Sequence, residues 1–138
     1  MDTEHSAGAI VYRTEDGKRL YLLLHYAAGH WDFIKGKIED GETHRQTIVR
    51  EAIEETGLDD LNFIEGFQET IHYSFMREGQ AISKDVIFFL AEARDSTIRL
   101  SHEHQDSEWL EFGKAMEKLT YDNTKNVLDK ANSFLVSK

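Results

Sequence analysis

Short apolar runs recur along the chain and predict strands. Residues 7–12 and 20–25 form two such runs, and the sequence Glu15-Asp16-Gly17 between them is typical of a tight turn, so the two runs predict a β-hairpin. Three further runs predict strands at residues 61–67, 70–75 and 86–91.

A second pattern places apolar residues three and four positions apart and predicts helices. It fills residues 43–56 and 123–135, and a shorter stretch covers residues 112–119. The mixed order of strands and helices favours an α/β fold. No repeat, low-complexity tract or linker interrupts it, so residues 1–138 are predicted to form a single domain.

Composition narrows the class of protein. The hydrophobic share is 40% and the charged share 30%, as in ordinary globular domains. No apolar run approaches the roughly 20 residues that span a membrane. The chain has no cysteine, which excludes disulfides and thiolate chemistry, and its N-terminus lacks a signal-peptide pattern. We therefore expect a cytoplasmic protein without a membrane partner.

The charge balance bears on possible ligands. A formal net charge of −10 means that the surface as a whole repels polyanions, so stable nucleic-acid binding is not expected. A phosphate-bearing substrate would need bound divalent cations and a few well-placed Lys or Arg side chains.

The helix predicted at residues 43–56 has recognisable ends and two faces. Thr43 followed by Gln46 fits a capping box, and Gly57 fits the helix stop. At about 100° per residue, one face is apolar and predicted to be buried, while the other is acidic. The apolar stripe is Ile48, Val49, Ala52, Ile53 and Thr56, and the acids opposite it are Glu51, Glu54 and Glu55.

These acids break the local rules for helices. Glu51 and Glu55 are like charges four residues apart, and all three acids lie towards the C-terminus, where the helix dipole disfavours them. A solvated acidic face is the ordinary interpretation. The alternative is a site for hard divalent cations, whose ligands are carboxylates, carbonyls and waters.

The spacing around these acids resembles the Nudix box at every defined position. Gly36 is followed by five residues, Glu42, seven residues and then Arg50-Glu51-Ala52-Ile53-Glu54-Glu55-Thr56-Gly57-Leu58. So many specified positions with fixed gaps make a specific motif. The resemblance implies a Nudix fold, an α/β/α sandwich around a mixed β-sheet.

The same resemblance assigns roles to the residues of the motif. The carboxylates of Glu51 and Glu55 and the carbonyl of Gly36 would hold magnesium, or alternatively manganese, with Glu54 contributing to the cluster. Glu42 and Arg50 would be the orienting salt-bridge pair. Bound metal would neutralise a pyrophosphate and lower the pKa of an attacking water.

Three stretches outside the motif resemble the asymmetrical diadenosine tetraphosphate hydrolases. They are His30-Trp31, Ile64-Glu65-Gly66-Phe67 and the sequence IRLSHEHQ at residues 98–105. This resemblance implies hydrolysis of a dinucleoside polyphosphate to ATP and AMP by direct attack of a metal-activated water.

Further site residues follow from that resemblance. Glu103 would be an extra acid that binds metal or acts as base. His30, Lys35 and Lys84 would contact phosphates, and Tyr73 and Tyr121 would lie near the adenine.

Structural alternatives remain open for several of these residues. Tyr73 alternates with Ile71 and Phe75, which is typical of a core position, and His30 could simply pack beside Trp31. Lys84 could be a solvated charge at a strand edge. His102 and His104 are spaced for a transition-metal site, but the sequence offers no clear third ligand.

One stretch departs from the family pattern. These hydrolases usually have prolines before the motif, whereas this chain reads Trp31-Asp32-Phe33-Ile34-Lys35-Gly36. We therefore expect a more flexible loop before Gly36, while Lys35 and Gly36 themselves keep the family pattern.

Other functions compete with dinucleotide hydrolysis. One is removal of pyrophosphate from the 5′ end of RNA, against which the acidic balance argues, or cleavage of another nucleoside diphosphate derivative. Another is a non-enzymatic nucleotide-binding regulator, against which the intact acidic motif argues. The sequence leaves the oligomeric state and the preferred dinucleotide open.

Overall fold

The computed structural model describes residues 2–94 and 104–138. The predicted N-terminal hairpin is confirmed: β1 (Asp2–Glu15) pairs antiparallel with β2 (Lys18–Tyr26). Asp16 and Gly17 make the turn between them with positive φ angles of 52° and 79°. A two-residue turn of this handedness matches the twist of the flanking strands.

The remaining elements complete a mixed sheet with three helices. They are β3 (Trp31–Asp32), β4 (Ile34–Lys37), α1 (His44–Thr56), β5 (Asn62–Arg77), β6 (Gln80–Glu92), β7 (His104–Leu110), α2 (Phe112–Lys118) and α3 (Asp122–Val136). The strand order is β3-β2-β1-β6-β5, with β4 paired to β1 and β7 paired to β2. β1 and β6 run parallel and the other pairs antiparallel, so the expected mixed sheet is confirmed.

Two predictions about strands were wrong in detail. The runs predicted at residues 61–67 and 70–75 belong to one strand, β5, whose pairing with β6 shifts register between Phe63 and Gln68. Gly66, with a φ of 98°, lies in that irregularity and breaks the alternating pattern. The segment before Gly36, expected to be a loop, forms β3 and β4.

Each face of the sheet buries its own apolar cluster. We call the two sides the α1 face and the α3 face, after the helix that covers each. On the α1 face, Ile48 and Ala52 of α1 pack with Ala7 and Ala9 of β1. On the α3 face, Leu128 of α3 packs against the sheet with residues of β1, β2 and β6 and with Ala115 of α2. This is the α/β/α arrangement that the resemblance implied.

The ends of α1 follow the prediction. The Thr43 side chain accepts a hydrogen bond from the Gln46 backbone N–H at 3.2 Å, and the Gln46 side chain accepts one from the Thr43 N–H at 2.8 Å. Gly57 ends the helix with a φ of 77°, donating its N–H to Ile53.

The predicted faces of α1 were right for Ile48, Ala52 and Thr56, which are buried, but wrong for Val49, Ile53 and Glu55. Val49 and Ile53 are 40% and 48% exposed, whereas Glu55 is only 4% exposed. The buried side is made by Thr47, Ile48, Ala52, Glu55 and Thr56. The helix is therefore rotated about its axis relative to the apolar stripe. The Glu55 carboxylate faces the sheet, and the side chains of Val49 and Ile53 are partly exposed to solvent instead.

Among the described residues, none of the helices combines the length and apolar character needed to cross a bilayer.

Candidate active site

Strand β4 brings the backbone of Gly36 against helix α1. Gly36 lies opposite Ala7 of β1, on the α1 face. A Cβ atom built on Gly36 would overlap the carboxyl group of Glu51. Only glycine allows this approach, which places the Glu51 carboxylate directly over the β4 backbone.

Arg50 connects the acids around this contact. Its Nε donates to Glu42 at 2.8 Å, and its Nη1 donates to Glu51 at 2.7 Å. Its Nη2 donates to the Lys37 carbonyl at 3.0 Å, which ties the helix to the end of β4. Thus the ion pair predicted between Glu42 and Arg50 is present, and it also fixes the orientation of Glu51.

Glu42 is strongly favoured as a carboxylate. The hydrogen bond from Arg50, followed by those from the Glu39 N–H and the Thr47 hydroxyl, lowers the pKa of Glu42 well below its usual value. Glu42 therefore stays ionised at neutral pH and holds Arg50 as a fixed positive group.

Glu55, in contrast, is disfavoured as a carboxylate. Burial raises the pKa of Glu55, and the neighbouring Glu51 carboxyl raises it further. The Tyr26 hydroxyl, which donates to the Phe33 carbonyl at 2.6 Å, lies 3.1 Å from Glu55 Oε1. Two carboxyl groups held together with little solvent are unfavourable unless a proton or a cation offsets their charge.

The donors here suit a hard divalent cation. Glu51, Glu55 and the backbone of Gly36 converge, and carboxylate and carbonyl oxygens are the ligands that such ions prefer. The raised pKa of Glu55 is the sign of charge that a cation would relieve. We call Gly36, Glu42, Arg50, Glu51 and Glu55 the acidic cluster.

One predicted metal ligand, Glu54, lies outside this convergence. Glu54 is 58% exposed and lies 3.4 Å from Arg50 Nη1. Within the described ranges, no three acidic or histidine side chains come together as an ion site. Glu103 and His102 lie outside the described residues, and His104 is described only as the first residue of β7.

The neighbouring residue of β4 points to the other face. Lys35 lies opposite Gly8 of β1, one position from Gly36, and its Nζ is 2.8 Å from Asp32 Oδ2. Burial alone would lower the pKa of Lys35, but the Asp32 carboxylate raises it above its usual value. Lys35 is thus a charged lysine with a side chain only 13% exposed.

Lys84 and Tyr73 share that face with Lys35. They are directly opposite each other on β6 and β5. Burial lowers the pKa of Lys84, and the positive charge of Lys35 lowers it further. Tyr73 packs against the α3-face core and also interacts with Lys35, so it is both a half-buried core residue and a neighbour of the lysines.

His30 and Tyr121 complete this group. The His30 ring stacks on Tyr26 with centroids 4.8 Å apart and lies 5.6 Å from the ring of Tyr121. The alternative in which His30 packs on Trp31 is not what the structure shows, because Trp31 stacks on His25 instead. Tyr121 is 48% exposed.

Tyr121 is held near β3 by its neighbour in the chain. The Thr120 hydroxyl accepts a hydrogen bond from the Trp31 N–H at 2.8 Å, and the Thr120 N–H donates to the Trp31 carbonyl at 3.3 Å. The structure therefore brings the predicted substrate-binding residues into one neighbourhood. We call His30, Lys35, Tyr73, Lys84 and Tyr121 the recognition cluster.

Sequence reasoning missed two residues of the site, Tyr26 and Asp32. Asp32 is fully buried beside Lys35, and Tyr26 contacts both Glu55 and His30. A signal existed for Asp32, since an aspartate followed by Phe33 and Ile34 is a charge within an apolar run. Tyr26 carried none, because a tyrosine at the end of a strand is ordinary.

The chain is similar to known proteins. The family model described as NUDIX domain matches residues 3–131. The chain is similar to the asymmetrical bis(5′-nucleosyl)-tetraphosphatase of Sus scrofa, at 38% identity over 85% of this chain and 81% of the relative. The enzyme of the same name from Caenorhabditis elegans is 33% identical over 94% of this chain and 95% of the relative.

A solved structure is also similar. The crystal structure of a C. elegans Ap4A hydrolase binary complex superposes with a TM-score of 0.83 at 30% identity, covering 98% of this chain and 99% of that one.

Proposed function

Because this chain belongs to the Nudix family, we propose that it is a hydrolase that cleaves diadenosine tetraphosphate, or a related dinucleoside polyphosphate, to ATP and AMP. The relatives named as asymmetrical tetraphosphatases support this substrate class. The observation that carries the proposal is the position of β4, whose consecutive residues Lys35 and Gly36 face the recognition cluster and the acidic cluster respectively.

The acidic cluster supplies the chemistry of cleavage. Nudix hydrolases use divalent metal ions, and we propose magnesium for this chain, with manganese as the alternative. Glu51, Glu55 and the Gly36 carbonyl would hold the ion, which when bound neutralises phosphate charge and lowers the pKa of the attacking water.

Arg50 and Glu42 serve the same step without touching the substrate. Arg50 holds the Glu51 carboxylate at 2.7 Å, and Glu42 in turn holds Arg50 at 2.8 Å. A ligand that is fixed before the substrate arrives loses no conformational freedom on binding, which favours the transition state.

The recognition cluster binds the rest of the substrate. Lys35 and Lys84 place two positive charges on the α3 face, where they attract a polyphosphate despite a formal net charge of −10. His30 lies near both lysines and beside Tyr121, and Tyr73 and Tyr121 offer rings on which an adenine can stack.

Turnover of a nucleotide panel with magnesium tests the proposal. Diadenosine tetraphosphate should be cleaved to ATP and AMP, and omission of the metal should abolish the reaction. Preferred cleavage of 5′-triphosphorylated RNA, or of another nucleoside diphosphate derivative, would replace the proposed substrate. No turnover of any member of the panel would point to a nucleotide-binding regulator.

A further inference from the structure

Asp32 is a fully buried carboxylate that has no assigned role in the proposed reaction. Its side chain is 1% exposed, and its Oδ2 lies 2.8 Å from Lys35 Nζ. An ion pair taken this far out of water is kept only when both groups are held in a defined geometry. The pair is not in the acidic cluster, because Lys35 lies on the opposite face of β4 from Gly36.

The position of the Asp32 carboxylate is fixed by its own surroundings. Its Oδ1 accepts a hydrogen bond from the Phe33 N–H at 2.7 Å, which restrains the side chain. Its backbone pairs with Leu24 of β2. Phe33 and Ile34, which follow it, are 0% and 1% exposed, so the backbone between Asp32 and Lys35 is anchored as well.

Lys35 needs a carboxylate partner because it is largely buried and lies near the positive charge of Lys84. Lys84 lies near enough that each positive charge opposes the other, and burial also disfavours both. A free lysine side chain has many rotamers, and repulsion from Lys84 would favour those that reach solvent. The Asp32 carboxylate offsets that repulsion and holds the ammonium group beside Tyr73.

We propose that Asp32 is a positioning residue that holds the Lys35 ammonium at the phosphate-binding site before the substrate arrives. The inference rests on the proposed function, since it assigns Lys35 to the phosphates. A preset cation binds phosphate without first losing the freedom of its side chain, so Asp32 acts on substrate binding through Lys35 alone.

The variant Asp32→Asn tests this, because it keeps the size of the side chain and an oxygen for the Phe33 N–H but removes the charge. KM for diadenosine tetraphosphate should rise about 10- to 100-fold, with kcat changed much less. The matched control is Asp85→Asn. Asp85 pairs with His72 at 2.5 Å and with His5 at 3.3 Å on the α1 face, and its removal should leave KM unchanged.

A double-mutant cycle with Lys35→Met separates positioning from a purely structural role. If Asp32 acts through Lys35, Asp32→Asn should not raise KM any further in the Lys35→Met protein. If Asp32→Asn alone does not fold, comparison of the double variant with Lys35→Met still reports the result, because the double variant removes both charges and leaves neither buried without a partner.

Two results would overturn the inference: a wild-type KM in Asp32→Asn, even with a lowered melting temperature, or a further rise in KM when Asp32→Asn is added to Lys35→Met. Failure of the proposed function is distinct from either. It would appear in the wild-type protein as a lack of turnover of the dinucleotide, and the cycle would then be measured with whichever nucleotide of the panel is cleaved.

Discussion

The clusters on the two sides of strand β4 differ in how their residues are distributed along the sequence. The acidic cluster comes from residues 36–55, a continuous stretch of one strand, one connection and one helix. The recognition cluster draws on residues from 30 to 121, which lie before β3, on β4, β5 and β6, and before α3. Lys35 and Gly36 join the two clusters because consecutive residues of a strand point to opposite faces. The proposed cleavage site is thus encoded locally, and the proposed recognition site is encoded by the tertiary fold.

The largest effect should come from removing a carboxylate of the acidic cluster. Glu51→Gln or Glu55→Gln should lower kcat by at least about 100-fold, because each removes a proposed metal ligand, and the metal stabilises the negative charge that develops in the transition state. The fold should persist, since a neutral amide is easier to bury than the carboxylate of Glu55, which is 4% exposed. Steady-state kinetics and thermal melting on the same samples measure both effects.

Glu65→Gln is the matched control for those variants. Glu65 is 80% exposed and pairs with Arg45 on the surface, so kcat should stay within about twofold of wild type. Near-normal turnover of Glu51→Gln or Glu55→Gln at saturating magnesium would remove that residue from the metal site.

A smaller but still large effect should follow from crowding the same cluster. In Gly36→Ala, the new Cβ would occupy the place of the Glu51 carboxyl, and a displacement of about 1 Å can lower activity by about 100-fold. The control is Gly113→Ala in α2, where nothing lies within 4 Å of the added atom. An active Gly36→Ala protein would show that the position of Glu51 over β4 does not matter for cleavage.

Variants of the recognition cluster should act on binding instead. Loss of base stacking costs about 1 to 3 kcal/mol, so alanine at Tyr121 or Tyr73 should raise KM by about 5- to 150-fold. Tyr121, which is 48% exposed, should fall towards the lower end and keep its melting temperature. Tyr73 packs on the core, so Tyr73→Ala should also lower the melting temperature.

KM and melting temperature on the same protein decide between the two roles of Tyr73. A large loss of stability with an unaltered KM would assign it to the core alone. An unaltered KM in Tyr121→Ala would remove Tyr121 from the base site.

The fold was predicted well where local signals act alone. The caps of α1 at Thr43 and Gly57 and the turn at Asp16-Gly17 depend on neighbouring residues, and they appear as expected. The faces of α1 followed from the pattern only in part. Helical periodicity assumes that apolar groups are buried, whereas here Glu55 takes a buried position and leaves Ile53 exposed, as happens where a site overrides stability.

The site, like the fold, was predictable where its residues lie close together in the sequence. The motif pointed to the acidic cluster because its residues have fixed spacing along the chain. The motif could not reveal Asp32, because its ion pair depends on the direction in which the Lys35 side chain points in the folded chain. It could not reveal Tyr26 either, because the contacts of Tyr26 with Glu55 and His30 exist only in the folded chain. Glu103 stays a prediction, since it lies outside the described residues.

Hydrolysis of diadenosine tetraphosphate in heavy-oxygen water tests the central claim most directly. If the acidic cluster directs water to the phosphorus beside one nucleoside, mass spectrometry should find the heavy oxygen in AMP and none in ATP, and only when magnesium is present. Label in ATP, two ADP products, or equal turnover without a divalent cation would contradict asymmetrical, metal-dependent cleavage by this chain.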